Sequence, residues 1–252
     1  MKLFLKKKDA SRLISNQNTM SQITMLHFFK FSGFKNSFWA FKMMQQAHFS
    51  LSRVEGLVFY KLLGTGGGDG YQWRPDFSTY ALLTVFSDEM AAQNFIDKKG
   101  IFQDYKSKAL QYTTIWLLPF EVHGYWSKEQ PFELGEFDIQ KPIAIITRAR
   151  IKWRYLFKFW KLVPAVSSAI NEKGGPLFGK GIGEWPLIQQ ATFSIWKDKQ
   201  TMIDFAYRSK MHQKAIQNTR KLNWYSEEMF ARFHPIKIEG NLINHISDFS
   251  FR

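Results

Sequence analysis

Short hydrophobic runs in the first half of the chain alternate with amphipathic stretches. The runs that predict strands are residues 23–31, 57–63, 79–86 and 114–122. Residues 35–49 repeat hydrophobic positions at helical spacing, which predicts a helix between the first two strands. Asp88 follows the third run and predicts the N-cap of a second helix, with helical sequence continuing over 106–110.

The second half predicts the same order of elements. Its strands are expected at residues 143–151, 178–182, 187–196 and 229–235. A helix is expected over 153–170, a second after the capping residue Asp198, and a third over 210–222. Each half therefore predicts the order β-α-β-β-α-β, which is typical of a ferredoxin-like unit.

Short matches in the same order along the chain support an internal repeat. The segment from Phe86 to Phe95 aligns with that from Trp196 to Phe205, 110 residues further on, and places Asp88 on Asp198. Phe38-Trp39 likewise matches Phe159-Trp160. We therefore predict an α+β fold of two fused ferredoxin-like repeats that form a pseudo-dimeric α+β barrel.

Changes in sequence character suggest the boundaries of these units. Residues 1–19 lack apolar periodicity and predict a disordered extension before the first repeat, which we place at 20–124. Residues 125–141 predict a linker, 142–240 the second repeat and 241–252 a C-terminal tail.

Composition and charge narrow the classes of function. Aromatic residues make up 17% of the chain, which suits a large core or a flat apolar ligand. The net charge of +14 is spread along the chain, which favours plain solubility over a nucleic-acid site but is compatible with contact with an anionic membrane. The absence of cysteine excludes a thiolate-ligated haem and iron–sulfur clusters. No signal peptide or membrane-spanning run is found, so we expect a cytoplasmic protein.

The sequence does not satisfy three common binding-site motifs. The glycine-rich segment 64–70 lacks the third glycine of a dinucleotide-binding loop. Segment 174–181 resembles a phosphate-binding loop but has Gly181 where Ser or Thr must hold magnesium. The six histidines lack the spacing of a structural zinc site.

The segment from Phe178 to Trp196, with Gly181-Ile-Gly183-Glu184-Trp-Pro186 at its centre, carries the most specific pattern of the chain. Further matching residues are Phe205-Ala-Tyr207, His212, Ala215-Ile216, Arg220, Trp224, Glu228, Ala231-Arg232-Phe233 and, in the first repeat, Phe38-Trp39-Ala-Phe41, the segment from Lys61 to Gly66, and Tyr80-Ala81. Over residues 25–233 the chain resembles the spheroidene monooxygenase family.

That resemblance implies an oxygen-dependent enzyme acting on acyclic carotenoids. Members hydroxylate the carbon beside the end group, and a second round gives a ketone. The family is expected to bind haem and to take electrons from a donor protein such as ferredoxin. A carotenoid substrate and the basic charge also suggest peripheral contact with the inner membrane.

His212 is the candidate ligand of the haem iron. Without cysteine, the iron needs His, Tyr or Met. Ala215, Ile216 and Thr219 share a face of the predicted helix with His212 and leave room for a ring. At the repeat offset, His212 falls on Phe102, which predicts one site per chain. A lone His is more often a satisfied core residue; the resemblance favours the ligand.

Other site candidates each have an ordinary structural alternative. Arg148 and Arg232, with Arg150, could pair with haem propionates or be solvated strand residues. Gln190 and Thr192 could place a polar group near bound oxygen or simply fill the outer face of a strand. Gly181 and Gly183 are expected to border the cofactor. The competing functions are a cofactor-free oxygenase or a small-ligand-binding protein of the dimeric α+β barrel type; a nucleic-acid-binding module is disfavoured.

Overall fold

A computed structural model describes residues 21–67, 74–161, 175–185, 187–208 and 224–243. The first half contains β1 (Ile23–Phe31), α1 (Gly33–Leu51), β2 (Leu57–Gly66), β3 (Pro75–Phe86), α2 (Glu89–Asp97), α3 (Ile101–Lys108) and β4 (Ala109–Gly124). The second half contains β5 (Ile143–Ile151), a 3-10 turn (Trp153–Tyr155) that leads into helical residues 156–161, β6 (Phe178–Trp185), β7 (Gln189–Trp196), α4 (Lys199–Arg208) and β8 (Tyr225–Gly240).

The eight strands form a closed antiparallel barrel. The first half contributes the order β4-β1-β3-β2 and the second half the equivalent order β8-β5-β7-β6. A long ladder between β4 and β8 joins the halves on one side, running from Thr113 opposite Gly240 to Gly124 opposite Met229. A short ladder between β2 and β6 joins them on the other. The structure confirms two fused ferredoxin-like repeats.

The two predicted helix caps have matching geometry. The Asp88 carboxylate accepts the backbone N–H of Ala91 at 2.8 Å, and the Asp198 carboxylate accepts that of Thr201 at 2.7 Å. These hydrogen bonds hold the pKa of each carboxyl below its ordinary value. The caps therefore begin α2 and α4 in the same way, as the repeat predicts.

Several element bounds differ from those predicted. The helix expected at 106–110 is α3, which begins at Ile101 because Phe102 and Tyr105 are buried on its inner side. Ala109 and Leu110 instead open β4. β8 extends beyond the predicted 229–235 at both ends, because β5 and β4 supply ladder partners there. Residues 162–170, which are the second half of the predicted helix 153–170, and all of 210–222 lie outside the described residues.

Successive side chains along each strand point to opposite faces of the sheet, one toward the barrel interior and the other away from it. The inner set fills the barrel with residues from both repeats, among them Leu26, Leu83, Ile146, Phe193 and Phe233. The outer set of the first sheet, including Met25, Phe29 and Leu82, packs beneath α1, α2 and α3. Every strand thus has a barrel face and a helix face.

Part of the expected linker packs into the barrel. Trp126 and Phe132 are both buried in the inner cluster. The Phe132 ring lies 5.1 Å from that of Phe233, and the Trp126 ring 6.1 Å from that of Phe59. Segment 125–141 therefore closes one side of the core. The division at residues 20–124, 125–141, 142–240 and 241–252 stays a prediction, as does disorder before residue 20.

Among the helices that the structure describes, none is both long and apolar enough to span a membrane.

Candidate functional site

Strand pairing makes the two sheets comparable residue by residue. Ile23 of β1 lies opposite Phe86, just as Ile143 of β5 lies opposite Trp196. Counting along these strands places Thr147 at the position of His27. The equivalent pairs Leu62–Leu82 and Gly181–Thr192 align β2 with β6.

Large side chains fill the outer face of the first sheet. The residues at its centre are Tyr60, Leu62, Tyr80, Leu82, His27 and Phe29. His27 and Phe29 are fully buried, and the ring of Phe102 on α3 packs 5.1 Å and 5.7 Å from theirs. This face is a closed core between sheet and helices.

Smaller side chains occupy the same places on the second sheet. The residues that correspond to the six above are Gly179, Gly181, Gln190, Thr192, Thr147 and Ala149. Thr147, on the side of this set next to β8, is exposed, and its direct neighbours Thr192 and Phe230 are only half-buried. We call these six residues the small-residue floor. The first repeat has a larger side chain at each of the six positions.

The polar ring of His27 is buried in the filled outer face of the first sheet. Its two ring nitrogens lie 2.9 Å from the Thr114 hydroxyl and 3.2 Å from that of Thr84. Complete burial lowers the pKa of His27 to about 3, so the ring is neutral. His27 is a satisfied core histidine rather than a ligand.

The four predicted residues of β6 and β7 lie together on the second sheet's outer side. Gly181 is paired with Thr192, and Gly183 with Gln190. The Gln190 amide donates to the Trp185 carbonyl at 3.2 Å. A Cβ at Gly183 would lie 2.6 Å from the Gln189 carbonyl oxygen, so this glycine has a packing reason of its own. The geometry brings Gly181, Gly183, Gln190 and Thr192 to the small-residue floor and its margin.

Arg148 lies on the other side of the same sheet. Its guanidinium is 2% exposed, forms ion pairs with Glu184 and Glu227, and lies over the Trp126 ring. Because neighbouring strand residues point to opposite faces, Arg148 points into the barrel while Thr147 points to the floor. The structure therefore does not place Arg148 with Gln190 and Thr192.

Around Arg148, at one end of the barrel, the basic and acidic side chains form ion pairs with one another. Partial burial opposes ionisation of Glu227, but hydrogen bonds from the Lys128 amide and from Arg148 hold its pKa below the ordinary value. Glu184 also pairs with Lys61 at 3.3 Å. A cavity of about 780 Å³ adjoins this cluster and includes Arg150 in its lining. Mutual neutralisation is the arrangement expected of a structural ion cluster.

Arg232 lies at the edge of the second sheet's outer face. Its guanidinium donates to Glu121 at 2.6 Å and is a quarter exposed. It also lies over the Phe230 ring. This arginine is thus near the floor but already carries a carboxylate partner, and its role toward a propionate stays a prediction, as does that of Arg148.

His212 falls outside the described residues. Within the described ranges, no group of three or more His, Asp and Glu side chains could hold a metal ion. The sequence reasoning missed Thr147 and Ala149, although the repeat and the two-residue alternation of β5 together carried the signal.

Comparisons with known proteins agree with the fold and identify the family. No family model matches the chain. A spheroidene monooxygenase of Rhodobacter capsulatus is 32% identical over 87% of this chain and 92% of its own length. One from Cereibacter sphaeroides is 33% identical over 87% of this chain and 68% of its own.

A solved structure supports the architecture alone. The crystal structure of an aldoxime dehydratase matches with a TM-score of 0.59 at 11% identity, over 90% of this chain and 84% of that one. The sequence identities above, over nearly the whole length of one relative, decide the family. The chain belongs to the spheroidene monooxygenase family, and with it to the oxygen-dependent monooxygenases.

Proposed function

We propose that this enzyme hydroxylates or ketolates the carbon next to the end group of an acyclic, spheroidene-like carotenoid, using haem bound against the small-residue floor. The substrate class follows from the names of the relatives. The observation that carries the location is the replacement of Tyr60, Leu62 and Leu82 in the first repeat by Gly179, Gly181 and Thr192 in the second.

The floor fits one side of a flat ring. Five of its six residues are glycine, alanine or threonine, which leave a low surface, and Thr147 is exposed. The pairing of β5 with β7 and of β7 with β6 keeps the six positions within one regular sheet. When bound, haem would supply the activation of oxygen, while the protein supplies binding and orientation.

The repeat also supports His212 as the residue that would bind the haem iron. Phe102, its counterpart at the repeat offset, contacts the rings of His27 and Phe29. The second-repeat counterparts of those two residues are Thr147 and Ala149, both in the floor. A residue that replaces Phe102 in the second repeat would therefore face the floor, and a neutral imidazole there could hold iron.

Two floor residues are proposed to act on the oxygen side. Thr192 and Gln190 lie on neighbouring outward positions of β7 and offer a hydroxyl and an amide. Groups of this kind can donate hydrogen bonds to a bound oxygen species or orient the polyene end. An electron-donor protein such as ferredoxin is part of the proposal, because a monooxygenase needs a reductant.

A cofactor-free oxygenase is the second candidate function. It would use the same floor to bind an apolar ligand directly, in space that side chains fill in the first repeat. The haem proposal is preferred because the second sheet has smaller residues at the floor positions and the chain has a histidine, His212, at the repeat position of Phe102, whose ring packs on the equivalent face of the first sheet.

Replacement of His212 with Ala tests the ligand. We expect a folded protein that binds haem at least about a hundredfold more weakly, since the sole proposed iron ligand is gone. Carotenoid oxidation should fall with it. The measurements are the Soret band on haem titration and product formation from an acyclic carotenoid with a reductant.

His48→Ala and His123→Ala are the matched controls. Both histidines are exposed, and their side chains are bound to Tyr60 and Glu121. They should leave the Soret band unchanged. A His212→Ala protein with a native Soret band would assign the ligand elsewhere, whereas oxidation by a protein with no Soret band would establish the cofactor-free alternative.

A further inference from the structure

Helix α1 carries a row of phenylalanines on its solvent side. Phe34, Phe38, Phe41 and Phe49 are 84%, 51%, 53% and 65% exposed. Phe77 on β3 is 63% exposed, and its ring lies 6.4 Å from that of Phe41. We call these five residues the phenylalanine face.

On most surface helices of soluble domains, the large apolar side chains face the core and not the solvent. In α1 the reverse holds for these phenylalanines. The buried positions of α1 are Ala40, Ala47 and Leu51. At about 100° per residue, the four helix phenylalanines fall within an arc of about 80°, whose centre lies about 140° around the helix axis from that buried stripe. All four are more than half exposed, so most of their apolar area lies outside the core, and an exposed apolar surface of this kind marks a site of interaction.

The charges around the phenylalanine face are all positive along the helix. α1 contains no Asp or Glu. Lys35 and Lys42 are exposed on its flank, and the ammonium of Lys42 lies 6.0 Å from the Phe38 ring. The Arg53 guanidinium covers the Phe49 ring at 3.8 Å, and the Lys108 ammonium lies 5.3 Å from the Trp39 ring.

We propose that α1 docks the enzyme onto a bilayer that contains anionic lipids. Aromatic side chains on one helix face, bordered by Lys and Arg, suit the boundary between acyl chains and headgroups. Long basic side chains can lay their stems along the apolar surface and leave the charge at the lipid phosphates. In a dimer formed through this face, Lys35 and Lys42 of one copy would lie near the same residues of the other copy. This like-charge repulsion disfavours such a dimer.

The role of this docking rests on the proposed function, since a long apolar polyene dissolves in membranes rather than in water. Docking itself is measured without any carotenoid. The probe is the full chain mixed with vesicles of phosphatidylcholine, alone or with phosphatidylglycerol, and the readout is the partition coefficient from vesicle flotation.

The Phe34→Ala/Phe38→Ala/Phe41→Ala protein should partition into either vesicle roughly a hundredfold less, because each lost ring removes apolar area worth about fivefold or more even when it is only half inserted. Lys35→Glu/Lys42→Glu should lower partition about twentyfold into phosphatidylglycerol vesicles only. The control Met90→Ala/Leu134→Ala/Ile139→Ala removes apolar groups that are 67%, 54% and 65% exposed elsewhere and should bind as the native chain does.

Native partition by the triple phenylalanine variant would overturn the proposal. So would a native dimer that this variant converts to monomers in light scattering, which would make the face a contact between copies. Folding is checked by the unfolding midpoint, which should not fall, because Ala favours helix. Oxidation of a detergent-dispersed carotenoid by the variant separates this proposal from the proposed function: activity there is retained if only docking is lost.

Discussion

The two sheets share one topology and differ on one face. Their barrel sides are equally full: Leu26 and Leu83 of the first repeat correspond to Ile146 and Phe193 of the second, and all four are buried. Their helix sides diverge, with Leu62 on one and Gly181 on the other. The inner face has to be filled because it is the common core; the outer face is free to hold either side chains or a ligand.

This contrast is the reason that we propose the second repeat as the site and the first as its scaffold. The first repeat closes its outer face with α1, α2 and α3, and even its one polar ring, His27, is satisfied by threonines. The second keeps the ladder but has smaller side chains at the six positions of the floor. The predictions below test the contrast from the larger expected change to the smaller.

Removal of a large side chain from the filled face should have the largest effect. Phe29→Ala deletes a ring that is fully buried between rings of α3 and should lower the free energy of unfolding by about 3–5 kcal/mol. Phe34→Ala makes the same change at an 84% exposed position and should cost less than about 0.5 kcal/mol. Urea unfolding measures both. Equal costs would mean that the first outer face is no more closed than the surface.

The buried histidine should make stability depend on acid. The pKa of His27 is lowered by burial to about 3, whereas the unfolded chain takes up the proton near 6.5. The unfolded state therefore binds more protons between these values, and stability present above pH 6.5 is lost as the pH falls toward 3. The slope is about 1.4 kcal/mol per pH unit for one proton.

His27→Leu should remove that part of the slope, and the exposed His48→Leu should not. Unfolding free energies at several pH values between 6.5 and 4 give the comparison, with the carboxylate contribution common to all three proteins. A His27→Leu protein with the native slope would mean that the ring is protonated or open to solvent in the folded state.

The two helix caps should give the smallest and most equal effects. Asp88→Ala and Asp198→Ala each remove one carboxylate that accepts a backbone N–H at the start of a helix. Each should lower the unfolding midpoint by about 2–4 °C. Asp97→Ala, at the far end of α2, is the control and should leave it unchanged. A cap that matters in one repeat and not in the other would limit the equivalence to the strands.

The fold could be predicted from the sequence because local patterns specify its helices and strands. Capping aspartates and hydrophobic runs mark each element, and the repeat fixes their order. The burial of Trp126 and Phe132 was not predictable, since a segment without periodicity gives no sign of which side chains turn inward. The start of α3 was missed because α2 ends at Asp97 and α3 begins only four residues later at Ile101, with Gly100, which makes no side-chain cap, as its N-cap.

The site was predicted in part and for identifiable reasons. Gly181 and Thr192 came from the resemblance, and the structure brings them together. Arg148 lies on the opposite face, which the alternation next to Thr147 would have shown. Thr147 itself was overlooked because a small polar strand residue is ordinary by itself; its meaning appears only beside His27, its bulky counterpart in the first repeat.

Haem titration of a refilled sheet tests the central claim most directly. Gly181→Leu/Thr192→Leu gives the second sheet the residues of the first, Leu62 and Leu82, while Thr192→Val keeps the native volume. We predict that the native and Thr192→Val proteins develop a Soret band at one haem per chain, and that the refilled protein stays folded without one. A refilled protein that binds haem as tightly as the native chain would contradict the assignment of the site to the small-residue floor.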